Sequence, residues 1–232
     1  MTIKLYHLVT KKGDPTTAIS PHCVKVEAIL NFKGLKFETI LLTFLELHEI
    51  LPKVCKTDGR PTVPVLVDGD TVIQDSWAIT EYLENKYPEP SVFQGGKAVH
   101  RLVEKFSFST LHASLFRLYC TNLRDSLDEA NARYFVESRE AKFGSLDALA
   151  ARRSEWIPEA EKALGILRDH LKETGKFFCG ESIGYADFAI AATFVCFHRM
   201  LHDEVKEVLF AGEDENNSTL TDWYERVGVY LK

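Results

Sequence analysis

The spacing of apolar residues changes once along this chain, near residue 90, and the change restricts the architecture to two unlike parts. Before it, short alternating segments are interleaved with helical ones. Ile3, Leu5 and His7 repeat every second residue, a first strand. Over Pro21–Phe32, Val24, Ala28, Ile29 and Phe32 fall on one helical stripe that Gly34 ends. Phe37–Leu42 predicts a second strand, and residues 46–56 a helix that Pro52 interrupts. Residues 62–67 and Thr71–Gln74 flank Asp68-Gly69-Asp70, and Asp-Gly between apolar runs is a hairpin signal. Asp75 or Ser76 then caps a helix running to Lys86, which Pro88 stops. The order over residues 1–87 is β-α-β-α-β-β-α. Residues 88–96, holding Pro90 and Gly95-Gly96, have linker composition. Residues 97–232 are helical in period throughout, their first helix carrying Leu102, Phe106, Ser109, His112-Ala113 and Phe116 on one stripe. An α/β domain followed by an all-α helical bundle fits this pattern, and 232 residues suffice for both.

Charge and cysteine usage narrow the function classes. The net charge is -6 and evenly spread: residues 1–90 carry 10 basic and 12 acidic side chains, the rest 18 and 22. A nucleic-acid binder needs a concentrated basic face, so nucleic acid is not an expected partner. The five cysteines, Cys23, Cys55, Cys120, Cys179 and Cys196, include no C-x-x-C pair. That argues against a disulfide scaffold or a zinc site and for a reducing compartment, with no metal expected. The first residues lack a basic segment followed by a long apolar one, and the longest apolar run, residues 188–197, is too short to span a bilayer. The expected setting is cytoplasmic, away from membranes.

Three local features carry a family likeness. Ser20-Pro21-His22-Cys23 opens the first helix. Thr62-Val63-Pro64-Val65-Leu66 places a proline in an apolar segment. Gln74-Asp75-Ser76-Trp77-Ala78-Ile79 follows the hairpin. In this order and at these spacings they resemble the N-terminal, thioredoxin-like domain of the glutathione transferases. In the second half, Gly180-Glu181-Ser182-Ile183-Gly184-Tyr185-Ala186-Asp187-Phe188 is similar to the family's helix-capping motif. The resemblance spans nearly the whole chain. It implies a mixed four-stranded sheet over residues 1–87, a helical substrate-binding domain over residues 97–232, glutathione as co-substrate, and a homodimer. A non-catalytic ligandin and a protein-interaction domain with the same fold are the rival readings. The long segment of residues 9–19, together with Asp75-Ser76-Trp77-Ala78-Ile79, looks like the etherase-related members of fungi and bacteria.

Ser20 has two readings that share one geometry. Serine before a proline at the first helical position is a favourable helix start, since the hydroxyl accepts a free backbone N–H and proline needs no partner. The same helix terminus presents unpaired N–H groups and a positive dipole end, which suit a thiolate. No carboxylate lies within residues 20–26 to occupy that end. The resemblance implies that Ser20 donates a hydrogen bond to the glutathione sulfur, as in the family's serine-type members. A free thiol of pKa near 8.5 is only about 3% ionised at pH 7. A shift of about two units needs roughly 2.7 kcal/mol. A charged hydrogen bond of ~1.5–3 kcal/mol plus a dipole contribution can supply it. The thiolate fraction rises about 25-fold, but with a Brønsted slope near 0.45 nucleophilicity falls about 8-fold. Most acceleration must then come from positioning the electrophile.

The remaining assignments follow the resemblance, each beside a plainer reading. Pro64 is either an edge-strand proline or the second residue of a cis peptide that turns the Val63 backbone toward glutathione. Gln74, Asp75 and Ser76 would hold the γ-glutamyl end, while Asp75 or Ser76 also caps a helix. Lys53 or Lys56 would hold the glycine carboxylate, or stay a surface lysine. Phe108, His112, Phe116 and Tyr119 would line an aromatic substrate pocket, or pack in the core. Tyr6 stands near where tyrosine-type members place their donor but is also an ordinary strand aromatic. Cys23 occupies the second position of a dithiol motif whose first position is Ser20, so it lacks a partner for disulfide exchange and has the character of a buried helix cysteine. Gly184 replaces the family's capping Ser or Thr, which predicts a slightly weaker cap. The implied reaction adds the glutathione thiolate to hydrophobic, aromatic electrophiles, with detoxification or ether cleavage as its setting.

Overall fold

The computed structural model describes residues 2–55, 61–214 and 216–231. Four strands form one mixed sheet: β1 (Ile3–Leu8), β2 (Phe37–Leu42), β3 (Val65–Asp68) and β4 (Thr71–Gln74), in the order β2-β1-β3-β4. β1 pairs parallel with β2, through the crossover helix α1 (Pro21–Phe32), and antiparallel with β3. The β3–β4 pairing sets Asp68 opposite Thr71, so the hairpin turn is Gly69-Asp70. Only Gly69 has a positive φ there, 62°, the arrangement of a type II′ turn. Helices α2 (Phe44–Val54) and α3 (Ser76–Lys86) complete a thioredoxin-like domain.

Three expectations for this domain need correcting. Helix α2 starts at Phe44, earlier than expected, because Thr43 and Glu46 form a reciprocal capping box. Pro52 lies inside the helix, in its last turn, where one lost hydrogen bond is tolerable. β3 begins after Pro64, not at Thr62, and lies between β1 and β4, so the edge-strand reading of Pro64 fails. The Val63–Pro64 peptide is cis.

The connecting residues 87–96 are not a loose linker. Val92 is fully buried, and the buried Lys33 ammonium donates to the carbonyls of Tyr87 (2.7 Å) and Pro90 (2.9 Å) while pairing with Glu84 at 2.6 Å. Beyond them a continuous helical rod runs through α4 (Lys97–Phe106), a π-helical segment (Ser107–His112) and α5 (Ala113–Asp125). It is followed by α6 (Glu129–Phe143), α7 (Leu146–Ala151), α8 (Arg153–Thr174), α9 (Tyr185–Met200), α10 (Val205–Val208) and α11 (Thr219–Gly228). The stripe expected on the rod is overturned: Leu102 is 70% exposed, and His100, Glu104, Ser107, Leu111 and Leu115 face inward instead. The π-helical segment shifts the facing of everything after it, which a uniform 3.6-residue period cannot anticipate.

Helix α9 is the hub of the helical domain, with every residue from Tyr185 to Phe197 buried. Asp187 secures its start, accepting from the N–H groups of Gly184 (2.9 Å) and Phe178 (3.1 Å) and from Trp223 Nε1 (2.8 Å). Gly184 has its own explanation. A Cβ there would lie 2.8 Å from His100 Cε1 and 2.9 Å from the Val92 carbonyl oxygen, so packing against the connector excludes Ser or Thr.

Candidate active site

Two helix N-termini and one turn meet beside the helical rod. Ser20 is the N-cap of α1; its Oγ accepts from the Cys23 N–H at a long 3.4 Å, and its hydroxyl is also within hydrogen-bonding reach of the Cys23 thiol. Asp75 caps α3 with Oδ1, accepting from Trp77 and Ala78 N–H groups at 3.0 Å each. It does so at φ 85°, a left-handed conformation that Asp tolerates better than most residues. Neither helix carries an acidic residue in its first turn. Ser76 is buried, with Oγ 3.5 Å from His22 Nδ1. His22 sits two residues after Ser20, so this contact joins the two helix starts. Gln74 turns its Nε2 to the Thr62 carbonyl (3.1 Å) and hydroxyl (2.9 Å), bracing the segment that leads to the cis peptide.

The rival sulfur ligands are placed differently. Cys23 is fully buried, its thiol donates to the Tyr6 carbonyl at 3.8 Å, and burial pushes it up to about 12. A thiol so reluctant to ionise is a poor nucleophile. Tyr6 pairs with Ile40 and Val65 in the middle of β1 and packs against the core. Lys53 is a solvent-facing side chain 3.5 Å from Glu49, and Lys56 lies outside the described residues.

The four aromatic positions divide. Phe108 is 49% exposed, and its ring lies 4.6 Å from His22 and 5.3 Å from His112, nearly parallel to the latter at 11°. His112 contacts Phe116 at 6.0 Å, and Phe116 contacts the half-exposed Phe143 at 5.9 Å. Tyr119 is a correction: at 1% exposure it backs this row from inside the core, against Phe197. Burial pulls His22 down to about 3 and His112 to about 4, so both imidazoles are neutral at pH 7.

A charged cluster beneath the α3 terminus escaped the sequence reading. Lys25, 2% exposed on α1, donates to Glu104 of α4 at 2.6 Å and lies 4.8 Å over the Tyr185 ring. Glu104 also accepts from Tyr185 Oη and from Arg101, whose guanidinium stacks on Trp77 at 4.5 Å. These donors hold the Glu104 carboxyl below its ordinary range despite burial. The available signal was one lysine among Cys23, Val24, Val26 and Ala28, on the face that packs against the helical domain.

This fold, with a helix N-terminus, a cis-proline turn and a second helix N-terminus converging, defines a thioredoxin-like domain fused to a helical domain. Residues 16–91 match the model of the glutathione S-transferase N-terminal domain, and residues 98–227 that of the C-terminal domain. The chain belongs to the glutathione S-transferase family. It is 29% identical over 168 residues to glutathione S-transferase 1 of Dianthus caryophyllus, covering 72% of this chain and 68% of that one. Among solved structures, glutathione transferase GSTFuA2 of Phanerochaete chrysosporium superposes with a TM-score of 0.86 at 25% identity, over 100% of this chain and 99% of that one. A Ceriporiopsis subvermispora glutathione S-transferase, solved in complex with glutathione, shares the fold with a TM-score of 0.82 at 22% identity, over 99% and 98% of the two chains.

Proposed function

We propose that this protein is a serine-type glutathione transferase that conjugates glutathione to hydrophobic, aromatic electrophiles. The observation that carries the reading is the contact of His22, two residues after the Ser20 cap, with both Ser76 and Phe108, which sets the two helix starts against a half-exposed aromatic side chain. In this reading Ser20 Oγ–H donates to the glutathione sulfur and the α1 N-terminus stabilises its negative charge. The Val63 backbone, freed from the strand ladder by the cis peptide, pairs with the cysteinyl backbone. Asp75, Ser76 and the α3 terminus hold the γ-glutamyl end, with Gln74 fixing the turn between them. The electrophile lies against Phe108, His112 and Phe116. The sulfur lone pair forms the C–S bond as the leaving group departs with its bonding electrons, and the thiol proton goes to solvent.

Residues 1–87 would then bind glutathione and residues 97–232 the electrophile, joined by residues 88–96. A homodimer, a cytoplasmic setting and an etherase-like acceptor complete the reading. Retention on immobilised glutathione together with turnover of 1-chloro-2,4-dinitrobenzene tests it. Absence of both would overturn it, and saturable binding without turnover, unchanged in Ser20→Ala, would make the protein a ligandin.

A further inference from the structure

We infer that the cavity between α8 and the segment following α10 is a second small-molecule site. It takes an elongated zwitterion, with a carboxylate at one end, a cation at the other and an apolar chain between. The inference is independent of the proposed transferase function and would stand if that function failed.

The cavity has a volume of about 330 Å³, in the range of small-ligand sites. It is lined by Glu161, Leu164 and Arg168 of α8, by Val208 of α10, and by Ala211 and Gly212. None of the six is a residue of the site around Ser20. On α8 the three lining residues are spaced i, i+3 and i+7, so an acid, an apolar residue and a base follow one another along a single stripe of the helix. Leu164 and Val208 are both buried, and together they give the cavity an apolar floor between its two charges.

Those charges do not satisfy each other. Seven residues of helix set their Cα atoms about 10.5 Å apart, too far for the i, i+4 pairing that helices favour. Among the described residues the exposed Glu161 carboxylate has no ion-pair partner. Arg168 is committed on one side only: Nε donates to Glu213 at 3.2 Å and Nη2 to the Ala211 carbonyl at 3.1 Å, while Nη1 has no partner. Glu213 in turn is shared with the start of α11, accepting from the Leu220 N–H at 2.8 Å, the Thr221 N–H at 2.9 Å and the Thr221 hydroxyl at 2.7 Å. Two contacts thus fix the plane of a guanidinium that keeps donors to offer, and a donor already in place loses little freedom when a carboxylate arrives. The occupant that uses every group lays its carboxylate on Arg168, its chain over Leu164 and Val208, and its cation on Glu161. A plain carboxylate would gain only Arg168 and meet the like charge of Glu161. A plain amine would meet the like charge of Arg168.

The probes are 6-aminohexanoate, hexanoate and hexylamine, which share a chain and differ in their charged ends. Titration of the intact protein, followed by backbone amide NMR, is expected to shift Val208, Ala211 and Gly212. The zwitterion should bind about threefold more tightly than hexanoate, the size of one solvent-exposed ion pair, and hexylamine should bind most weakly. Glu161→Gln should bring 6-aminohexanoate down to the level of hexanoate. Arg168→Lys keeps a cation beside Glu213 and should weaken both carboxylates more than the amine. Should that variant unfold, Glu161→Gln still decides, because Glu161 is exposed and its side chain holds nothing in place. Saturating S-methylglutathione should leave the shifts unchanged. Equal binding of the three probes, a zwitterion preference that survives Glu161→Gln, displacement by S-methylglutathione, or no shift at these three residues would overturn the inference. Failure to bind glutathione alongside an intact zwitterion preference would sink the transferase reading alone.

Discussion

At Ser20, helix capping and the sulfur activation proposed above would draw on one oxygen. Its lone pair meets the Cys23 N–H, and a bound thiolate would pull its proton away from the buried Cys23 thiol. Ser20→Ala is therefore expected to raise the pKa of bound glutathione by about one unit, the loss of a ~1.5 kcal/mol charged hydrogen bond. Ultraviolet titration of the thiolate in the binary complex measures this. Tyr6→Phe and Cys23→Ser should leave the value unchanged, and a shift in either would move the assignment to that residue. Gly184 makes a second residue-scale prediction. Gly184→Ala forces a Cβ to 2.9 Å from a backbone oxygen that cannot swing away, and should cost about 1–3 kcal/mol in chemical denaturation. Gly184→Ser should do no better, despite the hydroxyl's value as a cap.

Between elements, the Lys25–Glu104–Tyr185 cluster joins α1 of one domain to α4 and α9 of the other. Lys25→Met leaves the Glu104 carboxylate buried with fewer donors, and the expected loss is about 3–5 kcal/mol of stability. Replacing Glu104 as well, by Leu, should recover much of that loss, because an apolar pair of similar volume carries no desolvation penalty. Equal losses in the single and double variants would show that packing, not charge, is what Lys25 provides. The elements themselves were largely legible in the sequence. Alternation marked β1 and β2, Asp68-Gly69-Asp70 marked the hairpin, and Ser20-Pro21 and Asp75-Ser76 marked two helix starts. The rod from Lys97 to Asp125 was not, because α4 turns His100 and Glu104 inward and Leu102 outward, and the π-helical segment, which has no propensity signature, resets the facing of the residues after it. The charged cluster was hidden for a related reason. Lys25, Arg101, Glu104 and Tyr185 are scattered over 160 residues, and only domain docking brings them together.

For the whole molecule, buried ionisable groups set the response to acid. Burial lowers His7 and His112 to about 4 and His22 to about 3, against 6.5 when exposed. Between those values the unfolded chain binds more protons, so the stability these groups contribute is complete above pH 6.5 and is lost as pH falls through 4. Asp187, raised to about 6 by burial, works oppositely: its contribution is present below about pH 4 and lost as pH rises through 6. Three histidines outweigh one aspartate, so near pH 5 stability should fall on acidification by up to about 2.7 kcal/mol per pH unit. His7, whose buried Nε2 makes no hydrogen bond and has Glu27 3.8 Å away, gives a direct check. In His7→Leu the acid slope should drop by about one proton, measured by urea midpoints between pH 4.5 and 6.5.

The segment before Ser20 ties these scales together. Residues 9–19 form a closed loop, with Val9 bridged to Ala18 and the Ile19 N–H on the Leu8 carbonyl. The next two carbonyls along the chain are held from the other domain: Arg199 donates to Ala18 at 2.6 Å and the Cys196 thiol to Ile19 at 3.1 Å. The backbone that aims the Ser20 hydroxyl is thus gripped by the C-terminal end of α9. Grafting a relative's helical half onto this thioredoxin-like half would keep every proposed glutathione-binding residue in the sequence yet release the hydroxyl's footing. Chimeras in this family should accordingly be judged by the match between residues 18–19 and the end of α9, a junction far from the covalent connector.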